Sequence, residues 1–246
     1  VEVAKMLRAL EERTGVGVHL GLEPEPGSAL DVSQDVVDLF EQAFRPSDDI
    51  DHRRYLRVCH DVCHAAVMFE PQTAALRTYR AHEIGVGKIQ VSSAIEVDFD
   101  ALDDEAERAR TLESYRGFVE PRYLHQTMIR TGVEPHFDAE FFEDLPIAIA
   151  NRAEHQVPTG LWRTHFHVPI FTQGMNGWSS TQTEIERCLA ALPKDLPLPM
   201  LEVETYAWDV LPNCLYAGDE GLAAGIAEEL RWLRGTIETI RGGIEP

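Results

Sequence analysis

No run in this chain approaches the ~20 consecutive apolar residues that a helix needs to cross a bilayer. Basic residues are scarce: 22 Lys and Arg stand against 42 Asp and Glu, a formal net charge of −20. Such a balance opposes sliding along a polyphosphate and argues against anionic membrane surfaces, so neither nucleic acid nor membrane is an expected partner. The four cysteines (Cys59, Cys63, Cys188, Cys214) form neither CxxC nor a zinc-knuckle spacing. That pattern suits free thiols in a reducing cytoplasm better than a disulfide framework. GxGxxG and GxxxxGK[ST] are missing after every candidate strand, which excludes the usual phosphate loops.

What is present is an alternation. VEVAKMLRALEERTG puts Val3, Met6, Leu7 and Leu10 on one helical stripe and stops at Gly15. That helix is already in mid-course at Val1, where no initiator Met stands, so the expectation is the C-terminal portion of a longer protein. Strands are expected in GVGVHLGLEPEP (15–26), RRYLRVCHD (53–61), VGKIQVSSAIEV (86–97), WRTHFHVPIF (162–171) and LPMLEVETYAW (198–208). Helical spacing marks 32–45, 73–85, 180–192 and 219–243. Between the third and fourth strands, 100–118 is a strongly charged helix and 120–132 fits either state. Residues 138–155 read as a helix interrupted by Pro146. Strands separated by helices imply parallel pairing with right-handed crossovers, in a TIM barrel or an open doubly wound sheet.

The chemistry collects where the strands end. The first end carries Glu23 and Glu25, the second His60, Asp61 and His64, the third Lys88 and Gln90, the fourth His165 and His167, and the last Glu202 and Glu204. Barrel strand ends converge on one mouth, and residues two apart on a strand share a face. Each residue has a bland alternative. A lone His near a strand end is usually a satisfied polar group, Glu23 a turn acid, HFH one face of an edge strand, and Lys88 a surface lysine lying along the sheet. Ligand-type residues at five successive strand ends argue instead for one centre. Carboxylate, imidazole and carboxamide together suit Mn²⁺, Co²⁺, Mg²⁺ or Zn²⁺. Cys59, within its strand, is assigned to packing.

These residues resemble a known group. LEP after one strand, DVCH after the next, then KIQVSS, a histidine pair and a terminal LEVETY look like the xylose-isomerase-like TIM-barrel superfamily. That group holds sugar isomerases and epimerases and endonuclease IV-type repair enzymes. HLGLEPEPG, YLHQT, RTHFHVPIF and LEVETYAWDVLP, in that order, are more narrowly similar to the EboE-type proteins, described as metabolite-traffic proteins.

The resemblance implies a (β/α)8 barrel, of which residues 1–246 would be the C-terminal half, with a helical insertion at 98–160 between the last two barrel units. It implies a divalent metal held by Glu23, Asp61, Gln90 and Glu204, with His165 and His167 as an additional ligand arm. Glu23 and Glu204 would also be catalytic, one removing and the other returning a proton beside a metal-polarised carbonyl. His64, Lys88 and Arg163 would bind substrate oxygens. The expected partner is a small hydroxy-carbonyl metabolite, with a homo-oligomer left open. Two alternatives stand beside this one: an endonuclease IV-like phosphodiester hydrolase, and a non-catalytic metabolite carrier.

Overall fold

The computed structural model describes residues 2–43, 52–133, 136–153, 157–175, 177–211 and 218–242. In chain order the first half runs α1 (Glu2–Thr14), β1 (Leu20–Leu22), α2 (Ser33–Ala43), α3 (His52–Tyr55), β2 (Leu56–Asp61), α4 (Val62–Val67), α5 (Gln72–Ala81) and β3 (Val86–Val91). The middle comprises β4 (Ile95–Asp98), α6 (Glu105–Arg116), β5 (Thr127–Val133), β6 (His136–Phe142), α7 (Leu145–Arg152), β7 (Leu161–Thr164), β8 (Gly174–Met175) and β9 (Trp178–Ser180). The chain closes with α8 (Gln182–Ala191), β10 (Met200–Val203) and α9 (Gly218–Arg241). Among the described residues no helix is long and apolar enough to cross a membrane.

The fold is mixed α/β with two sheets. The first is parallel, in the order β1-β2-β3-β10, with β1 and β10 as its edges. Its register sets Asp61 beside Gln90 and Gln90 beside Glu202. Because alternate side chains share a face, Cys59, Asp61, Lys88, Gln90 and Glu202 fall on one side. Val58, Ile89, Val91, Leu201 and Val203 fall on the other, where they pack with the helices in two apolar clusters. Ala75 and Tyr79 of α5 join the first cluster, and Ile185 and Leu189 of α8 with Leu233 of α9 join the second. One face is therefore a core and the other a polar floor.

The second sheet is antiparallel, ordered β6-β5-β7-β4-β9-β8. It corrects the expectation of a helical insertion. The sheet begins at Ile95 and closes at Ser180, so it starts before residue 98 and ends after residue 160. Residues 138–142, expected in a helix, form β6 and pair with β5 from Thr127↔Phe142 to Val133↔His136. The ladder satisfies these backbone groups and overrides the helical spacing of FDAEFFEDL. The helix starts only at Leu145, where Asp144 caps it by accepting the Leu145 N–H at 2.9 Å. Pro146 sits in the first turn, where its missing N–H costs nothing, and so begins the helix rather than breaking it. Of WRTHFHVPIF only the first three residues are strand, as the end of β7 (Leu161–Thr164), in this second sheet and not in the parallel one.

Trp162 on β7 is fully buried, with the rings of Phe99 and Tyr115 edge-on at 5.3 and 6.4 Å. The next residue ties the two sheets together. Arg163 pairs with Glu96 at 2.6 Å and donates to the Ala66 carbonyl at 2.8 Å, and its guanidinium stacks on Phe69 at 4.6 Å. Replacing Trp162 by Ala empties the centre of the second core. We expect a loss of about 3–5 kcal/mol in urea unfolding; a loss under about 1 kcal/mol would show that this cluster does not carry the sheet.

Candidate metal centre

Asp61 ends β2 and caps α4. Its Oδ1 accepts the His64 N–H at 2.8 Å and the Ser92 hydroxyl at 2.8 Å. A side chain used this way is what starts a helix abruptly after a strand. It also fixes the carboxylate so firmly that its second oxygen, Oδ2, is left buried with no hydrogen-bond partner. Gln90 beside it leaves Oε1 in the same condition. Two buried acceptors without donors on neighbouring strands are costly unless something positive serves them.

Three imidazoles face one another on the same side. His64 comes from the parallel unit; His165 and His167 follow β7, so the second sheet delivers them. His64 Nε2 lies 3.2 Å from His165 Nε2, which lies 3.1 Å from His167 Nε2. Each ring's other nitrogen is held at 2.8 Å by an oxygen that can only accept: the Pro24 carbonyl for His64, Gln126 Oε1 for His165 and the Glu204 carbonyl for His167. Every Nδ1 therefore carries a proton, and His165 and His167, which burial keeps neutral, turn bare Nε2 lone pairs inward; His64, whose proton affinity is raised, donates from Nε2 to His165 when charged. Lone pairs at 3.1 Å repel. A cation between them removes the repulsion, and carbonyl-oriented histidines are the usual outer support of a metal site.

Acids complete the cluster. Donor atoms of Glu23, Asp61 and Glu204 lie within 4.8 Å of one another, as do those of Asp61, His64 and His167, of Glu25, His64 and His165, and of Cys63, His165 and His167. Burial, then the negative charges of Asp61 and Glu23, push the Glu204 carboxyl up to about 7. Burial and Asp61 raise Glu23 as well. Burial opposes ionisation of Asp61, but His64, His167 and the two hydrogen bonds outweigh it and hold the group below the ordinary carboxylate range. Burial lowers His167 to about 4 and drives His165 well below its ordinary value. His64 moves up: burial acts against it, but Asp61, the Pro24 carbonyl and Glu23 prevail. Burial holds the Cys63 thiol protonated.

The centre opens into a cavity of about 500 Å³ lined by Glu23, Glu25, His64, Gln126, His165, His167 and Glu204, with Arg122, Tyr123, Leu124 and Tyr206 forming the rest. Of the residues singled out from the sequence, Glu23, Asp61, His64, His165, His167 and Glu204 meet here, and Gln90 stands next to Asp61 in the register. Lys88 and Arg163, expected to hold substrate oxygens, are occupied elsewhere: Lys88 by Glu202 at 2.5 Å, Arg163 by Glu96 and Ala66. His60 faces away and bonds Gln72 at 2.8 Å. Cys59 lies on the polar face, where burial and Glu23 push its thiol up to about 12, so it remains a packing residue. Cys214 falls outside the described residues. Glu25 and Gln126 were legible only in part: Glu25 was in the strand-end inventory, and the YLHQT motif had no chemistry attached to its Gln. The chain matches no protein-family model, no curated protein and no solved structure.

Nitrogen-detected NMR of the metal-free protein tests the lone-pair arrangement. We expect His165 and His167 as Nδ1–H tautomers at neutral pH, with His167 titrating near 4 instead of the ordinary 6.5. An Nε2–H signal on both rings would refute it.

Proposed function

We propose that this chain is a divalent-metal-dependent protein of the sugar isomerase and epimerase type, acting on a small hydroxy-carbonyl compound. The observation that carries the proposal is the convergence of three imidazole Nε2 atoms with the carboxylates of Glu23, Asp61 and Glu204 in one cluster. Glu23, Asp61, Glu204, His64, His165 and His167 would hold the ion, with Gln90 Oε1 a further oxygen donor. Three imidazoles beside the carboxylates favour Mn²⁺, Co²⁺ or Zn²⁺ over Mg²⁺. A bound ion would supply Lewis acidity toward a carbonyl and its neighbouring hydroxyl.

The residues themselves supply the proton chemistry. Before an ion binds, burial, Asp61 and Glu23 raise the Glu204 carboxyl to about 7, within reach of proton exchange at neutral pH. Glu23 is also raised and its side chain is 34% exposed, so it reaches the cavity. The pair suits removal of a proton from the carbon beside the carbonyl by one carboxylate and its return by the other, with no net redox change. We further infer that the four parallel strands are consecutive strands of a (β/α)8 barrel of the xylose-isomerase-like type. Their helix-covered apolar face and polar opposite face support that arrangement. The resemblance to EboE-type proteins agrees with this site and leaves the metabolite unnamed.

One observation favours a second reading. Four overlapping donor groups exceed what a single ion takes, as expected of a multi-ion phosphodiester hydrolase. The net charge of −20 and the acidic walls oppose a polyanionic substrate.

Two measurements test the main reading. Metal uptake must expel the protons on Glu204 and His64, so calorimetry in buffers of different ionisation enthalpy should show more protons released near about pH 6 than near about pH 8. Equal release at both would remove these groups from the ligand set. Replacing Asp61 by Asn should weaken metal binding by about 10–100-fold. Replacing Glu204 by Gln should abolish turnover; unchanged ligand affinity with no turnover in either form would indicate a carrier.

A further inference from the structure

The metal centre explains the floor of the cavity and leaves its outer wall without a task. Arg122, Tyr123 and Leu124 line that wall and are all exposed, Leu124 to 62%. They are not a loose tip. The Glu120 carboxylate accepts the Arg122 and Tyr123 N–H groups at 2.8 Å each, and Asp144 accepts the His125 N–H at 3.0 Å. The turn aims three consecutive side chains at the cavity before any ligand arrives.

Two features define what they would meet. The Tyr123 ring lies 4.6 Å from that of Tyr206, which lies 4.6 Å from that of His167, so aromatic surface runs unbroken from rim to floor. Arg122 is, among the described residues, the only lysine or arginine lining the cavity, and the other charged lining side chains, imidazoles apart, are Glu23, Glu25 and Glu204. Among the described residues its guanidinium makes no ion pair, and its approach to a ring is 6.0 Å, over Tyr123. In a chain of 42 acids, an arginine left unpaired at the rim of an acidic cavity is a recognition group in waiting.

We propose that this wall is the specificity subsite of the metal centre, and that it selects a small anionic substrate. A carboxylate or phosphate is held in the fork of Arg122, an apolar face lies against Tyr123, Tyr206 and Leu124, and the hydroxy-carbonyl end reaches the donor floor. The polarity of binding follows from charge. The carboxylates of the floor offset the charge of an ion held there, whereas Arg122 is an uncompensated base among the described lining residues, so the favourable place of an anionic tail is beside Arg122. A planar guanidinium binds carboxylate and phosphate bidentately, and a tyrosine pair offers stacking surface at small entropic cost. The proposal rests on the metal-site reading for the reactive end alone.

Calorimetry on the Mn²⁺-saturated chain tests it with four probes: phenyl phosphate, benzoate, inorganic phosphate and benzyl alcohol. Phenyl phosphate should bind more tightly than inorganic phosphate or benzyl alcohol, and its comparison with benzoate tells which anion the subsite prefers. Arg122→Gln should weaken phenyl phosphate about tenfold while leaving Mn²⁺ and benzyl alcohol affinities unchanged. Tyr123→Ala should weaken phenyl phosphate and leave inorganic phosphate as it was. If Arg122→Gln binds phenyl phosphate as the parent does, or if no probe binds, the subsite is wrong. Failure of the metal reading shows separately, as absent Mn²⁺ uptake before any probe is added. The same Arg122→Gln comparison on the metal-free chain then decides the subsite by itself.

Discussion

Three ring nitrogens turned inward, none more than 3.2 Å from the next in line, set the terms for everything around them. The arrangement is unfavourable alone and is imposed from outside the rings. A carbonyl of β1's following loop, a carboxamide that precedes β5 and a carbonyl after β10 each claim one Nδ1 proton. Those three supports come from both sheets, so the centre exists only when the sheets are seated on each other. Arg163 and Phe69 at the joint therefore serve the site without lining it: they fix the distance across which His165 and His167 reach His64.

The proton affinities show the same tension. Glu204 is raised and His167 lowered, so in the interval between their ordinary values the folded chain holds a proton on the acid and refuses one to the base. On stability the two act in opposite senses. A raised Glu204 contributes below the ordinary carboxylate value and its contribution fades as pH climbs toward about 7. A lowered His167 contributes above the ordinary imidazole value, and that is lost as pH falls toward about 4. The cluster's net charge therefore changes most steeply near neutrality, where the Glu204 carboxyl is neither firmly protonated nor firmly ionised.

Much of the donor set was visible in the chain because strand ends in alternating folds carry chemistry, and Asp61 and His64 are spaced for one turn of helix. The histidine pair was visible as a pair, but its strand was assigned to the wrong sheet: four apolar-flanked residues cannot announce whether their neighbour will run parallel or antiparallel. FDAEFF read as helix because its spacing satisfies both periods, and only β5 opposite it decides. Lys88 and Arg163, which the resemblance implies as substrate-binding, each pair with an acid on a neighbouring strand, a contact their place in the sequence does not announce. Gln126 lies within the YLHQT motif but gave no chemical signal there, since a carboxamide that orients a ring is indistinguishable in sequence from one on a surface.

Glu204 occupies two places at once: its backbone oxygen steers His167, and its side chain joins the acids. Any displacement of that single residue reaches both, so on the proposed reading grip on an ion and readiness to shuttle hydrogen would share one mechanical coordinate. Substitutions in the loop beyond β10 would thus shift ion preference and reactivity in tandem, and a lineage seeking to alter one would inherit the other.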